Sequence, residues 1–226
     1  MPGFGGSAKP VADYLPAFFA RFAAAYLDAL GIEGATVAGN SLGGHVALRL
    51  ALSEPERVSA LCLIDGVGLG REASYALRLP TIPGYGDPAI AWSKTPLGAA
   101  QRAWLKAQLL FAGPERAPAE WMKEQQRLAQ LPGFLEAALA ALRAQLDLGG
   151  QREVLLDQLP RLEIPTLVVW GESDRILPVS QAREAVALLK QGSLELIPDC
   201  GHLPQVERPD HFVEVVSRFL DEQAHT

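Results

Sequence analysis

The chain holds only two cysteines, Cys62 and Cys200, among 226 residues. Two thiols cannot build the disulfide framework of a small secreted domain, so reduced cysteines and a cytoplasmic setting are expected. Aromatic residues are sparse at 7%, yet hydrophobic residues reach 49%, enough for a sizeable aliphatic core. No apolar run approaches the ~20 residues that span a bilayer, and no secretory leader is visible. Positive charge is in deficit: 20 Lys and Arg against 26 Asp and Glu leave a net charge of −6. That balance argues against nucleic acid or an anionic membrane as partner. Metal-ligand spacing, a phosphate-cradling loop and internal repeats are also missing, so no metal or cofactor is expected. What remains is a globular chain acting on a small molecule, with homodimer formation left open.

The most informative stretch is Gly39-Asn40-Ser41-Leu42-Gly43. Before it runs Ala35-Thr36-Val37-Ala38, short and β-prone; after it Gly44 to Leu52 reads as a helix. A serine between glycines at a strand-to-helix turn is the layout of a nucleophile elbow. The turn is tight, and side chains two positions away from the serine are expected to collide unless they are glycine. The hydroxyl then stands at a helix N-terminus, where the dipole and free amides favour developing negative charge.

A serine hydroxyl needs a base to take its proton, and that base needs an orienting acid. Pro165 to Trp170 is a nearly unbroken apolar run, as expected for a strand buried on both faces, and Gly171-Glu172-Ser173-Asp174 follows it. Ser193 to Ile197 reads as another strand, followed by Pro198-Asp199-Cys200-Gly201-His202. Ser41, Asp174 and His202 all follow predicted strands, so a parallel sheet would gather them along one edge.

With those three segments in place, the chain resembles the α/β-hydrolase fold superfamily. The resemblance rests on Gly39 to Gly44 (GNSLGG), Trp170 to Pro178 (WGESDRILP) and Gly201 to Pro209 (GHLPQVERP). It is similar to small cap-bearing esterases and to hydrolases that cleave carbon–carbon bonds in ring-fission products. The resemblance implies an α/β fold with a mostly parallel sheet, flanking helices and an all-helical cap. It further implies a Ser41–His202–Asp174 triad, with the Leu42 amide as one oxyanion donor. Met1 to Ser7 resembles the family's P-G-x-G-x-S loop, which normally follows four strands and a helix. The expectation is therefore a hydrolase lacking its first strands and the loop carrying the second oxyanion donor. Ala35 to Gly39 would then form an exposed apolar edge, prone to aggregation.

The expected core covers residues 1–65 and 163–226, with a cap over 66–162. From Asp13 to Leu30, Phe18, Phe22 and Tyr26 recur at helical spacing. After the strand Val58 to Ile64, prolines cut an Ala- and Leu-rich stretch into short helices. Trp92, Trp104, Phe111, Trp121 and Phe134 are candidates to line a cap pocket or to pack helix on helix. Without a basic cluster in the cap, a small, mostly apolar ester or ketone is the expected substrate. Carbon–carbon hydrolysis, haloperoxidase-like chemistry and a non-catalytic receptor role are the alternatives.

Several polar residues compete for roles. Asp65 ends the strand before the cap and is the rival acid, although Gly-Glu-Ser-Asp favours Asp174. Asp199 is too near His202 in sequence to orient it and is read as a turn cap. His45 is read as packing or bonding locally, His211 and His225 as surface residues, and Ser173 as a loop hydrogen-bonder. Asn40 is expected to brace neighbouring loops and Glu207 to anchor the last helix.

Overall fold

The computed structural model describes residues 1–224. Helix α1 (Pro16–Ala29) leads into strand β1 (Ala35–Asn40), helix α2 (Leu42–Ser53) and strand β2 (Val58–Ile64). An insertion follows with α3 (Tyr75–Arg78), α4 (Gly86–Ser93), α5 (Pro96–Leu110), α6 (Ala119–Ala129) and α7 (Phe134–Gln145). It closes on two short strands, β3 (Leu146–Asp147) and β4 (Gly150–Gln151). The main sheet resumes with β5 (Thr166–Gly171), α8 (Ser180–Leu188) and β6 (Gly192–Ile197), before α9 (Pro204–Glu207) and α10 (Pro209–Ala224). No helix among the described residues is long and apolar enough to cross a membrane.

The four long strands run parallel in the order β1-β2-β5-β6. Register aligns their carboxyl ends, with Asn40 beside Ile64, Ile64 beside Val169 and Gly171 beside Ile197. Side chains alternate between two cores, because successive residues of a strand face opposite ways. Leu61, Leu63, Val168 and Trp170 join Leu48 and Leu50 of α2 and Ala182 and Ala185 of α8. Ala60, Cys62, Leu167 and Val169 face Val215 and Phe219 of α10. Each large aliphatic side chain so buried contributes about 1.5–3 kcal/mol. Strand β1 pairs only with β2 among the described residues, so it is one edge of the sheet. Both thiols are free and buried, and burial pushes Cys62 and Cys200 up to about 12, which leaves them unreactive.

Two local expectations need correction. In α1 the core-facing residues are Phe19, Ala20 and Ala24, while Phe22 and Tyr26 lie exposed and stacked on the outer face. Alanine lets α1 approach α2 closely, so the small residues rather than the aromatic stripe mark the interface. The insertion is also not all helical: Leu146 pairs with Gln151 and Asp147 with Gly150 in an antiparallel ladder. The turn depends on Gly150, which has φ +116 and where a Cβ would sit 2.0 Å from the Arg71 carbonyl oxygen. The adjacent Gly149-Gly150 pair was the available hairpin signal.

The insertion is tied to the sheet layer by polar groups. Buried Gln151 accepts from the Gly68 amide at 2.6 Å and donates to the Glu72 carbonyl at 3.0 Å and to Gln181 of α8 at 3.1 Å. Glu153 accepts two hydrogen bonds from Arg49 of α2 and lies 3.0 Å from Nε2 of buried His45. His45 and then Arg49 hold the Glu153 carboxyl down to about 2. A carboxylate with a depressed folded-state pKa adds stability above its unfolded value, and this is lost as pH falls through the folded value. Glu153→Gln is therefore expected to cost on the order of 1 kcal/mol at pH 7, a discounted figure because the carboxylate is a third exposed. Urea midpoints for wild type and variant should converge as pH falls from about 4.5 to about 2.

Candidate active site

Ser41 sits between β1 and α2 with φ 56 and ψ −117, a backbone conformation that residues with a Cβ rarely adopt. Its amide donates to the Ile64 carbonyl at 2.9 Å, and its carbonyl accepts from the Val67 amide at 3.1 Å. The strained turn is thus clamped to the end of β2 on both sides. A Cβ on Gly39 would lie 2.1 Å from the Gly43 carbonyl oxygen, and one on Gly44 would lie 3.0 Å from the Gly66 Cα. Gly43 itself has nothing within 4 Å of such a Cβ, so the collision expected there does not occur. Its part in the turn is its carbonyl, which leaves no room for a side chain at Gly39. Leu42 opens α2, where the first amides of a helix have no intrahelical acceptor.

Asp174 and His202 come together from the loops after β5 and β6. His202 Nδ1 lies 2.8 Å from Asp174 Oδ2, and both side chains are almost fully buried. The other oxygen of Asp174 accepts from the Ile176 and Leu177 amides at 2.6 and 3.2 Å, which fixes the carboxylate. Ser41 and His202 share no hydrogen bond; Asn40 joins their segments instead. Its Nδ2 donates to the Ile64 carbonyl at 3.1 Å and to the His202 carbonyl at 3.0 Å. Asn40 therefore braces the elbow against the histidine turn.

Asp65 is fully buried beside this pair, with φ 42 and one oxygen accepting from the Gly171 amide at 3.0 Å. Its other oxygen has no conventional donor. Burial first, and then the neighbouring Asp174 charge, raise its carboxyl well above the usual range. The ligand atoms of Asp65, Asp174 and His202 lie within 4.8 Å of one another. A tetrahedral ion with ligands at ~2.1 Å would hold donors roughly 3.4 Å apart, wider than the 2.8 Å between His202 and Asp174. The pair fits a shared proton better than a shared metal.

The remaining polar residues sort differently. Glu207 is buried and accepts from the amides of Gly201 at 2.8 Å and Ala112 at 3.1 Å, with Arg116 nearby. It ties the histidine turn to the loop after α5, rather than anchoring the last helix. Asp199 has φ 49, and its carbonyl accepts from Arg208. Ser173 docks its loop through its backbone amide, which donates to the Cys200 carbonyl. His211 is half exposed, 3.3 Å from Glu195, and His225 lies outside the described residues. Of the five insertion aromatics, only Trp92 lines the large cavity there, while Phe111 and Trp121 pack edge to face. Phe134 is core and Trp104 is half exposed.

The expectation of no basic cluster in the insertion is also corrected. Arg102 and Lys106, four residues apart on α5, both face that cavity. On sequence alone such a pair reads as a solvated helix face.

A family model described as alpha/beta hydrolase fold matches residues 1–209. The chain belongs to the α/β hydrolase family. An uncharacterised protein of Mycobacterium tuberculosis is 34% identical over 97% of this chain, which spans only 65% of that relative's length. A 2-hydroxymuconate semialdehyde hydrolase of Pseudomonas putida is 32% identical over 98% of this chain and 75% of its own. The crystal structure of a bacterial membrane phospholipase A superposes with a TM-score of 0.76 at 30% identity, covering 100% of this chain and 69% of that one.

The elbow geometry separates two glycines that look alike in sequence. Gly39→Ala should cost about 3 kcal/mol or more, because backbone rather than a flexible side chain must move. Gly43→Ala should leave stability unchanged or raise it by up to about 1 kcal/mol, since alanine favours the helix. Urea denaturation of the two variants beside wild type checks both.

Proposed function

We propose that Ser41, His202 and Asp174 act as nucleophile, general base and orienting acid in the hydrolysis of a small, mostly apolar carboxylic ester. The observation that carries this reading is the strained Ser41 backbone, braced through Asn40 to the turn that holds His202 against Asp174. Strain of this kind persists only where the surroundings enforce it, and it clusters at reactive positions.

With Asp174 holding Nδ1, His202 presents Nε2 to take the Ser41 proton. Ser41 Oγ attacks the substrate carbonyl, and the tetrahedral oxyanion lies at the N-terminus of α2, with the Leu42 amide as donor. His202 returns the proton to the leaving alcohol as the carbonyl re-forms, giving an ester on Ser41. Water, deprotonated by His202, then attacks that ester and releases the acid. Asp174 stabilises the imidazolium formed in each half-reaction. The helical insertion between β2 and β5 acts as a cap that excludes water and shapes the acyl pocket.

A second reading, carbon–carbon hydrolysis of a ring-fission product by the same residues, is favoured by the Pseudomonas putida relative, whose name describes that class of substrate. The two differ in the leaving group, an alkoxide against a stabilised carbanion.

Hydrolysis of p-nitrophenyl acetate, butyrate and octanoate tests the proposal. Ser41→Ala should lower kcat by about 10³-fold or more, and Asp174→Asn by on the order of 10³- to 10⁴-fold. Turnover that survives Ser41→Ala would overturn the assignment. Ser41-dependent cleavage of a ring-fission keto acid with inert esters would select the second reading.

A further inference from the structure

The insertion carries an open cavity of about 730 Å³ between α4, α5 and α7, within the size range of small-molecule sites. Helix α5 contributes one continuous stripe to it: Gly98, Gln101, Arg102, Leu105, Lys106 and Leu109. These recur at spacings of three and four, so they share one helix face. Opposite them lie Leu77, Ile90, Leu139 and Leu142, and no acidic side chain lines the cavity.

Two cations therefore face an apolar space with no anion beside them. Lys106 donates to the amide oxygen of buried Gln125 at 2.7 Å. Arg102 has a buried Nη1 with no hydrogen-bond partner. Burial, and then the neighbouring Arg102, push the Lys106 ammonium down to about 7, and burial also lowers Arg102. Like charges one helical turn apart repel, and each desolvated charge costs free energy unless something compensates it. An anion held between them would remove both penalties at once.

We propose that this cavity binds an amphipathic monocarboxylate, its carboxylate held by Arg102 and Lys106 and its apolar tail lying along Leu77, Leu139 and Leu142. The head group follows from the donors: a planar guanidinium fork matches the two oxygens of a carboxylate, and an ammonium adds a point charge. The tail follows from the rest of the lining, which would leave a small hydrophilic anion such as phosphate mostly unsatisfied. None of Ser41, Leu42, Asp174 or His202 lines the cavity, so the site stands whether or not Ser41 acts as a nucleophile. The two regions are nevertheless mechanically joined. The Leu110 carbonyl at the end of α5 accepts from the His202 amide at 2.8 Å, and the Gln108 carbonyl accepts from Arg175, next to Asp174, at 3.0 Å.

Isothermal titration of the full chain with octanoate, 1-octanol and octylammonium tests the assignment. One octanoate should bind per chain, at least about tenfold tighter than octanol, and octylammonium should not bind. The double variant Arg102→Gln, Lys106→Gln should lose about tenfold or more of the octanoate affinity while octanol binding is unchanged. Leu139→Trp, which fills the cavity, should abolish binding of both, with circular dichroism reporting that each variant is folded. Ser41→Ala should bind octanoate like wild type, which separates this site from the catalytic proposal. Equal affinity for octanol and octanoate, octanoate binding that survives the double variant, phosphate binding in its place, or no octanoate binding would each overturn it.

Discussion

The backbone of Ser41 is the constraint around which the site is assembled. Holding a residue with a Cβ at φ 56 needs support from every side. Support comes from hydrogen bonds to Ile64 and Val67 and from glycines that let strand, helix and the end of β2 approach closely. One residue earlier, Asn40 spends both protons of its amide on the ends of β2 and of the histidine turn. Remove that close packing and the serine relaxes, the elbow opens, and the His202 turn loses its tie to β1.

Around this centre, charge is handled by burial and pairing rather than exposure. Asp174 is fixed by two amides and His202, and burial together with the Asp174 charge raises the carboxyl of Asp65 beside it. Glu207 satisfies amides of two loops that would otherwise be orphaned, so the turn carrying His202 and the helix facing the cavity share one buried carboxylate. A displacement of α5 is therefore felt at His202 through Leu110 and Glu207 alike. The cavity of the insertion and the candidate catalytic residues are separate in lining but continuous in framework.

The main sheet was legible because each of its strands is a short apolar run closed by glycine or a polar turn, and the candidate site residues stand just past those runs. Asp174 and His202, which lie 2.8 Å apart, were paired through the order and motifs shared with α/β hydrolases, with Asp65 as the rival acid. The face of α1 was not legible, since Phe22 and Tyr26 advertise an apolar stripe while the buried face is Phe19, Ala20 and Ala24. Neither was the β3–β4 ladder, two residues long on each side and announced only by Gly149-Gly150. Bonds between residues distant in sequence, such as Asn40 with His202 or Glu207 with Ala112, have no periodic signature. Arg102 and Lys106 were hidden for a different reason: cations four apart on a helix ordinarily face water, and only the fold turns them inward.

The most direct measurement is labelling of the chain by a fluorophosphonate, with the modified residue located by mass spectrometry. A single adduct on Ser41, formed far more slowly in His202→Ala and more slowly in Asn40→Ala, is the predicted result. An adduct elsewhere, no adduct, or a rate at Ser41 that is indifferent to His202 would contradict a nucleophile built on the strained elbow.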